Sequence, residues 1–377
     1  MKLAKAVFWG SVAGLVHTHV TYPLSLAALR RVRGVRPSPQ HHPPDEPPFV
    51  SLIIPAFDEE DVIADKLANA LALDYPRERL ELIVASDGSS DRTAERAREA
   101  GADVILELPR GGKMATQNAA VERARGEIIA FSDANSTWEQ GALAELAAAF
   151  EDPAVGYAGG EVSFTDPVGD NEEGAYWRLE NLVRGLESEL GGITAGNGAI
   201  YAVRRSAYRF LEPSRSHDLS FPFLLRKDGW RSVHVAAARA DEKMVPTIEG
   251  EFARKRRMMV GLPDIVVADR MWDPRGYGPL FAFQILSHRL LRYASPMLHV
   301  TALLANLRLL GAGWVYRLAL GVQAAVFGGA ALADRVDSRV ARLARYYVLV
   351  TASIALGFWD RWRGGPPGAW ERSAGTR

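Results

Sequence analysis

The feature that most constrains this chain is a rhythm between residues 50 and 150, where short unbroken apolar runs alternate with stretches of helical spacing. VSLIIP (50–55) is a continuous apolar run, as expected of a strand buried on both faces of a sheet. Residues 60–72 have helical spacing, ELIVAS (81–86) reads as a second strand, and 91–100 as a helix. A strand at 103–107, a helix at 113–124, the strand EIIAFS (127–132) and a helix at 139–150 continue the pattern. Repeated strand–helix–strand order predicts an α/β domain with a mostly parallel sheet and helices on both faces. Such sheets bind ligands at the carboxyl ends of their strands. Three of these strands end in acids, namely Asp58-Glu59-Glu60, Asp87 and Asp133, so acids far apart in sequence are expected at one rim.

Several common ligand classes fail at that rim. No G-x-G-x-x-G follows the first strand. Gly111-Gly112-Lys113 falls short of a phosphate loop, which needs Gly at 107 and Ser or Thr at 114, where the chain has Glu107 and Met114. Lys+Arg and Asp+Glu both number 45, and a chain of zero formal net charge lacks the basic excess of a general nucleic-acid binder. The absence of Cys excludes disulfides and thiolate sites and leaves the compartment unread.

The two ends read differently. Ala6 to Leu29 contains no Asp, Glu, Lys or Arg, and a bilayer span needs roughly 20 apolar residues. Residues 1–36 are therefore read as a membrane anchor, weakened by His17, Thr18 and His19, with a cleaved signal peptide as the alternative. Arg30, Arg31, Arg33 and Arg36 place the following residues in the cytoplasm by the positive-inside rule, while Lys2 and Lys5 pull the other way. Residues 37–48 carry six prolines and read as a semi-rigid linker. The soluble domain spans 49–279, and 280–360 are read as interfacial and transmembrane helices before a tail at 361–377. Uncharged runs at Tyr293–Leu307, Leu318–Ala333 and Tyr346–Trp359 predict two or three spans, with a buried helical subdomain as the alternative. LFAFQILSHRLLRY (280–293) has the aromatic and basic character of a helix lying on a membrane surface.

Within the soluble domain, VSLIIPAFDEEDVI, IVASDGSSD, GGKMATQNAA and FSDANS follow one another in an order that resembles the inverting GT-A glycosyltransferases. The resemblance covers roughly residues 45–262 and is nearest the membrane-bound branch with the cellulose, hyaluronan and poly-N-acetylglucosamine synthases. It implies a GT-A nucleotide-sugar-binding domain and a role for each matching residue. Asp87 would bind the nucleobase or ribose, with Asp91 capping the next helix. Glu59 would line the nucleotide pocket, and Asp58 stands where relatives have Asn. Lys113, at a helix start, would meet the diphosphate; a solvated loop lysine is the plainer alternative. Asp133, with Asn135 in place of a second Asp, would hold Mg²⁺ or Mn²⁺ through hard oxygen ligands.

Two later segments extend the likeness. GITAGNGAIYAV (192–203) is small and flexible enough for the backbone, at Gly196, to approach a donor sugar. His217-Asp218 resembles a pair of acids whose second member is the catalytic base, making Asp218 the candidate to deprotonate the acceptor. EFARKRRMMVG (251–261) resembles Q-x-x-R-W with Arg254 for Gln and Met258 for Trp, and Arg257 would hold the departing diphosphate; a basic patch on anionic lipid is the alternative. The expected partners are a nucleotide-sugar donor, with uridine as the default, a lipid or glycan acceptor, and membrane lipids. A non-catalytic subunit of a polysaccharide machine and a sugar-nucleotide-forming nucleotidyltransferase are the rivals; three retained acids and a membrane anchor argue against them.

Overall fold

The computed structural model describes residues 1–34, 46–165, 172–243, 247–333, 335–336 and 338–364. The Pro-rich linker, apart from its last three residues, and the tail beyond 364 lie outside the described residues.

The α/β rhythm appears as expected. Strand β1 (Val50–Ala56) is followed by helix α3 (Ile63–Leu71), after the N-terminal helices α1 (Lys2–Val16) and α2 (Tyr22–Arg33). Next come β2 (Leu80–Asp87), α4 (Thr93–Glu99), β3 (Val104–Leu108), α5 (Lys113–Arg123), β4 (Ile128–Ser132), β5 (Ser136–Trp138) and α6 (Ala142–Ala148). The domain continues through β6 (Val155–Thr165), α7 (Glu172–Leu190), β7 (Ile200–Arg204), α8 (His217–Lys227), β8 (Arg231–Lys243) and α9 (Ile248–Met259). The helix expected from residue 60 starts at Ile63, because Asp58 adopts a left-handed φ of 50° and turns the chain first. Asn and Asp both tolerate that region, which explains why one replaces the other here.

One sheet runs in the order β3-β2-β1-β4-β7-β6-β8-β5. Strands β3, β2, β1 and β4 are parallel, but β7 runs antiparallel to both β4 and β6, and β5 antiparallel to β8. The mostly parallel expectation is thus corrected to a mixed sheet. The reversal comes from β7, which enters after the glycine-rich segment rather than after a crossover helix of the repeating type. Alternate strand residues face opposite sides. Leu52, Ile54, Leu82 and Val84 share one core with Leu67 and Leu146, whereas Ile53, Ile83, Ile129 and Phe131 share the other with Val121 and Phe221. Each fully buried aliphatic side chain contributes about 1.5–3 kcal/mol. The parallel register leaves the ends of β1, β2 and β4 side by side, as the acidic rim requires.

The remaining helices form a bundle: α10 (Pro279–Gln284), α11 (Leu291–Leu309), α12 (Trp314–Leu332) and α13 (Arg339–Trp362). Among the described residues two helices, α12 and α13, are long and apolar enough to cross a membrane. The N-terminal segment, divided into Lys2–Val16, His17–Thr21 and Tyr22–Arg33, is not among these two. It bends through a π-helical turn at His17–Thr21. Ser11 Oγ lies 2.9 Å from Thr301 Oγ1 on α11, and Tyr22 and Leu26 bury against Val183, Leu186 and Leu190 of α7. The 280–293 segment packs along one face. Phe281, Ile285, His288 and Arg289 are buried, and Phe283 and Leu286 are exposed.

Candidate active site

Asp87 ends β2 fully buried. Its Oδ1 accepts from the Gly111 N–H (2.7 Å) and the Gly112 N–H (3.0 Å), and its Oδ2 pairs with Arg110 Nη1 (2.9 Å). The backbone amides that the sequence assigns to a diphosphate therefore point at Asp87, which holds the Arg110–Gly112 loop in place. Gly112 has φ of 86°, so a side chain there would strain the loop. Asp91, one residue before the Arg92 N-cap of α4, accepts at Oδ1 from the Thr93 N–H at 3.0 Å. Glu59 is 3% exposed, and its N–H donates to Thr93 Oγ1 (2.8 Å).

A cleft of about 710 Å³ opens beside that loop. It runs from Arg110, Lys113 and Asp133, past Gly196 and Asp218, to Arg257 and on to Arg289, Arg292 and the α13 residues Val350, Ser353 and Ile354. Five predicted residues, Lys113, Asp133, Gly196, Asp218 and Arg257, thus meet in one cavity; Glu59, Asp87 and Asn135 do not line it.

Lys113 Nζ is bonded to Asp133 Oδ1. Burial works to discharge the lysine, but Asp133, with Asp218 and Glu242, outweighs it and raises its pKa. Two groups missed in the sequence surround this pair. Glu242 on β8 faces Ser136 across the β5–β8 ladder and lines the cleft. Lys66 on α3 is 3% exposed, donates to the Ser136 carbonyl (2.7 Å), and has its pKa pushed down by burial to about 7. Neither stands in a recognisable motif; both are brought in by strand pairing and helix packing.

For a divalent ion, no group of three or more His, Asp or Glu side chains converges among the described residues. Asp133 and Glu242 supply hard oxygens at the cleft, Asn135 is two residues along, and a cation, the Lys113 ammonium, already sits on Asp133. The residues therefore fit an ion whose remaining ligands come from a bound molecule.

The Gly192–Ala199 segment is held firmly rather than loosely. Asn197 Nδ2 donates to the Gly160 carbonyl (2.6 Å) while its Oδ1 accepts the Ile200 N–H (2.9 Å). A Cβ on Gly196 would lie 1.9 Å from the Tyr157 hydroxyl. Its N–H donates to the Asp218 carbonyl (2.8 Å), so the glycine fixes the first turn of α8. His217 is buried between two hydroxyls, Tyr201 at 2.6 Å and Tyr208 at 3.1 Å, and stacks on Phe221. Burial, and then Lys113, hold its pKa well below the usual histidine value, so it is a neutral packing residue.

Of the basic segment on α9, Arg254, Lys255 and Arg257 line the cleft. Arg254 Nε pairs with Glu251 at 2.7 Å and Arg256 Nε with Asp360 on α13 at 2.6 Å. The Arg256–Asp360 pair seats α9 on α13. A Cβ on Gly357 would lie 2.5 Å from Met259 Cβ. At the far end, Glu180 on α7 is met by Arg292 (2.7 Å) and Arg289 (3.2 Å). Burial would raise its pKa, but Arg292, His288 and Arg289 hold it well below the carboxylate range. The sequence signal for this cluster was present in 280–293, where the basic residues face inward rather than toward lipid.

Residues 51–211 match the family described as Glycosyl transferase family 2. Glycosyltransferase AglE of Haloferax volcanii is 31% identical over 140 residues, 36% of this chain and 46% of that protein. A beta-monoglucosyldiacylglycerol synthase of Nostoc sp. is 27% identical over 345 residues, covering 81% of this chain and 72% of that one. The chain spans 46%, 50% and 25% of the first three curated relatives. Among solved structures, mannosyltransferase PcManGT from Pyrobaculum calidifontis, in complex with GDP-Man and Mn²⁺, superposes with a TM-score of 0.74 at 22% identity, over 95% of this chain and 99% of that one. The fold is GT-A-like.

Proposed function

We propose, from the premise that residues 51–211 form a glycosyl transferase family 2 domain, that the chain transfers a sugar from a nucleoside-diphosphate donor to a lipid or saccharide acceptor, inverting the anomeric carbon. The observation that carries this reading is one cavity lined by Lys113, Asp133, Gly196, Asp218 and Arg257.

Asp218 takes the acceptor hydroxyl proton as that oxygen attacks C1 and the bond from C1 to the diphosphate breaks. A base in reach of that proton is worth about 10²–10⁴-fold in rate. Gly196, through the Asp218 carbonyl, orients the turn that carries the base. Lys113 and Arg257 meet the charge that builds on the departing diphosphate. Asp133, with Asn135 or Glu242 beside it, would hold Mg²⁺ or Mn²⁺, which when bound neutralises leaving-group charge. Asp87 and Glu59 shape the nucleotide end from behind, Asp87 through the loop it anchors. An α-linked donor gives a β-linked product.

The catalytic domain faces the cytoplasm in this reading, with α12 and α13 in the membrane and Arg30 to Arg36 on the inner side. Uridine donors are tested first and guanosine donors second, since the solved relative binds GDP-Man. The test is a donor screen on the full chain in nanodiscs, reading nucleoside-diphosphate release and the mass of the product. Absence of release with every donor, together with unaltered acceptor mass, would favour a non-catalytic subunit.

A further inference from the structure

The cleft holds a buried cation with unused donors. Arg184 on α7 is 4% exposed, and its Nη2 donates to the Gly196 carbonyl at 2.7 Å. Among the described residues its Nε and Nη1 are buried with no hydrogen-bond partner, although the side chain lines the cleft. Glu180 stands 3.9 Å from Nε and is already engaged more closely by Arg289 and Arg292. The Trp177 ring centroid lies 5.3 Å from the Arg184 guanidinium carbon. Buried N–H groups of a charged side chain are costly to leave unsatisfied. Among the described residues nine Lys or Arg and four Asp or Glu line the cleft, so the missing acceptor is an anion.

The surroundings narrow its chemistry. A planar guanidinium fork matches the oxygens of a phosphate. The same cleft is also walled by Val350 and Ile354 of α13, a helix with the length and composition of a membrane span. We propose that Arg184, assisted by Arg292, is an anion subsite for the phosphate of a lipid acceptor whose apolar chain lies along α13. The proposal rests on the transferase reading of the cleft and names the acceptor class for it. Gly196 then links Arg184 and Asp218: its carbonyl fixes Arg184 and its N–H fixes the Asp218 turn, so an acceptor phosphate on Arg184 is tied to the base.

The experiment measures binding of dodecyl phosphate to the full chain in a neutral maltoside detergent, alongside binding of a nucleoside diphosphate. Arg184→Gln is expected to weaken dodecyl phosphate by about tenfold or more, as for loss of charged hydrogen bonds, with nucleoside-diphosphate affinity unchanged. Retained dodecyl phosphate affinity overturns the subsite, and an equal loss of nucleoside diphosphate assigns Arg184 to the donor instead. Inorganic phosphate is expected not to compete; equal competition would remove the lipid from the proposal. Phosphatidylglycerol in nanodiscs is likewise expected not to displace the probe, and displacement would make the site one for bilayer headgroups rather than an acceptor. Should Arg184→Gln fail to fold, Arg184→Lys, which keeps the charge and loses the fork, decides by the same two affinities. Donor turnover separates the two ideas. A chain that turns over donor with Arg184-independent phosphate binding loses only the subsite, and one that turns over no donor yet binds phosphate through Arg184 loses only the transferase reading.

Discussion

Gly196→Ala tests whether one backbone position organises the cleft. The new Cβ would fall 1.9 Å from the Tyr157 hydroxyl, 2.7 Å from Cζ and 3.1 Å from Cε1. Carbon contacts settle near 3.5–4.0 Å, so something must move by about 1.5 Å. Tyr157 is fully buried on β6 and stacked on Tyr201 at a centroid distance of 5.6 Å, so the glycine segment yields instead. That segment holds both the Asp218 carbonyl and Arg184. Overpacking of this kind costs about 1–3 kcal/mol, a loss that a domain with about 5–15 kcal/mol of stability survives. Misplacing a catalytic group by about 1 Å costs on the order of 10²-fold in rate. Nucleoside-diphosphate release is therefore expected to fall by about 10²-fold, while thermal unfolding shifts by only a few degrees on the order given by about 1–3 kcal/mol. Adding Tyr157→Phe removes the atom at 1.9 Å and should restore part of the rate. Normal turnover in Gly196→Ala, or no recovery in the double variant, would refute the reasoning.

Asp218→Asn should lower turnover by about 10²–10⁴-fold with little change in donor affinity by calorimetry, and near-normal turnover would move the base to another carboxylate. Asp87→Asn should weaken donor binding first, because it loosens the Arg110–Gly112 loop; an unaffected donor affinity would contradict that role. EDTA is expected to abolish activity and Mg²⁺ or Mn²⁺ to restore it, and full activity in metal-free buffer would reject the ion. Lys66, pushed down by burial to about 7, is neutral in the fold at pH values where the unfolded chain still binds its proton. Wild-type stability should then rise with pH from about 7 toward about 10, at up to about 1.4 kcal/mol per pH unit from this group. Lys66→Met removes that slope, so its stability relative to wild type should be highest at or below pH 7 and decline toward pH 10; a pH-independent difference in thermal unfolding would exclude the buried neutral lysine.

Local pattern alone was enough for the parallel half of the sheet. The continuous run of β1, the matching runs of β2 and β4, and acids at the ends of β2 and β4 follow from a period of two and from where open sheets bind ligands, both of which are properties of short segments. The same holds for Lys113, Asp133 and Asp218, whose motifs place them at helix starts or strand ends that converge. Long-range packing decided the rest. Tertiary contact turned Asp87 inward onto its own loop, made His217 a neutral wedge between two tyrosines, and brought Lys66 and Glu242 beside Asp133. It also folded the 280–290 segment inward, where His288 and Arg289 meet carboxylates on α7. A basic aromatic helix has the same composition whether its charges face headgroups or buried acids. The choice depends on Glu180 and Glu187, about a hundred residues away in sequence, and on the cost of burying those acids without a cation.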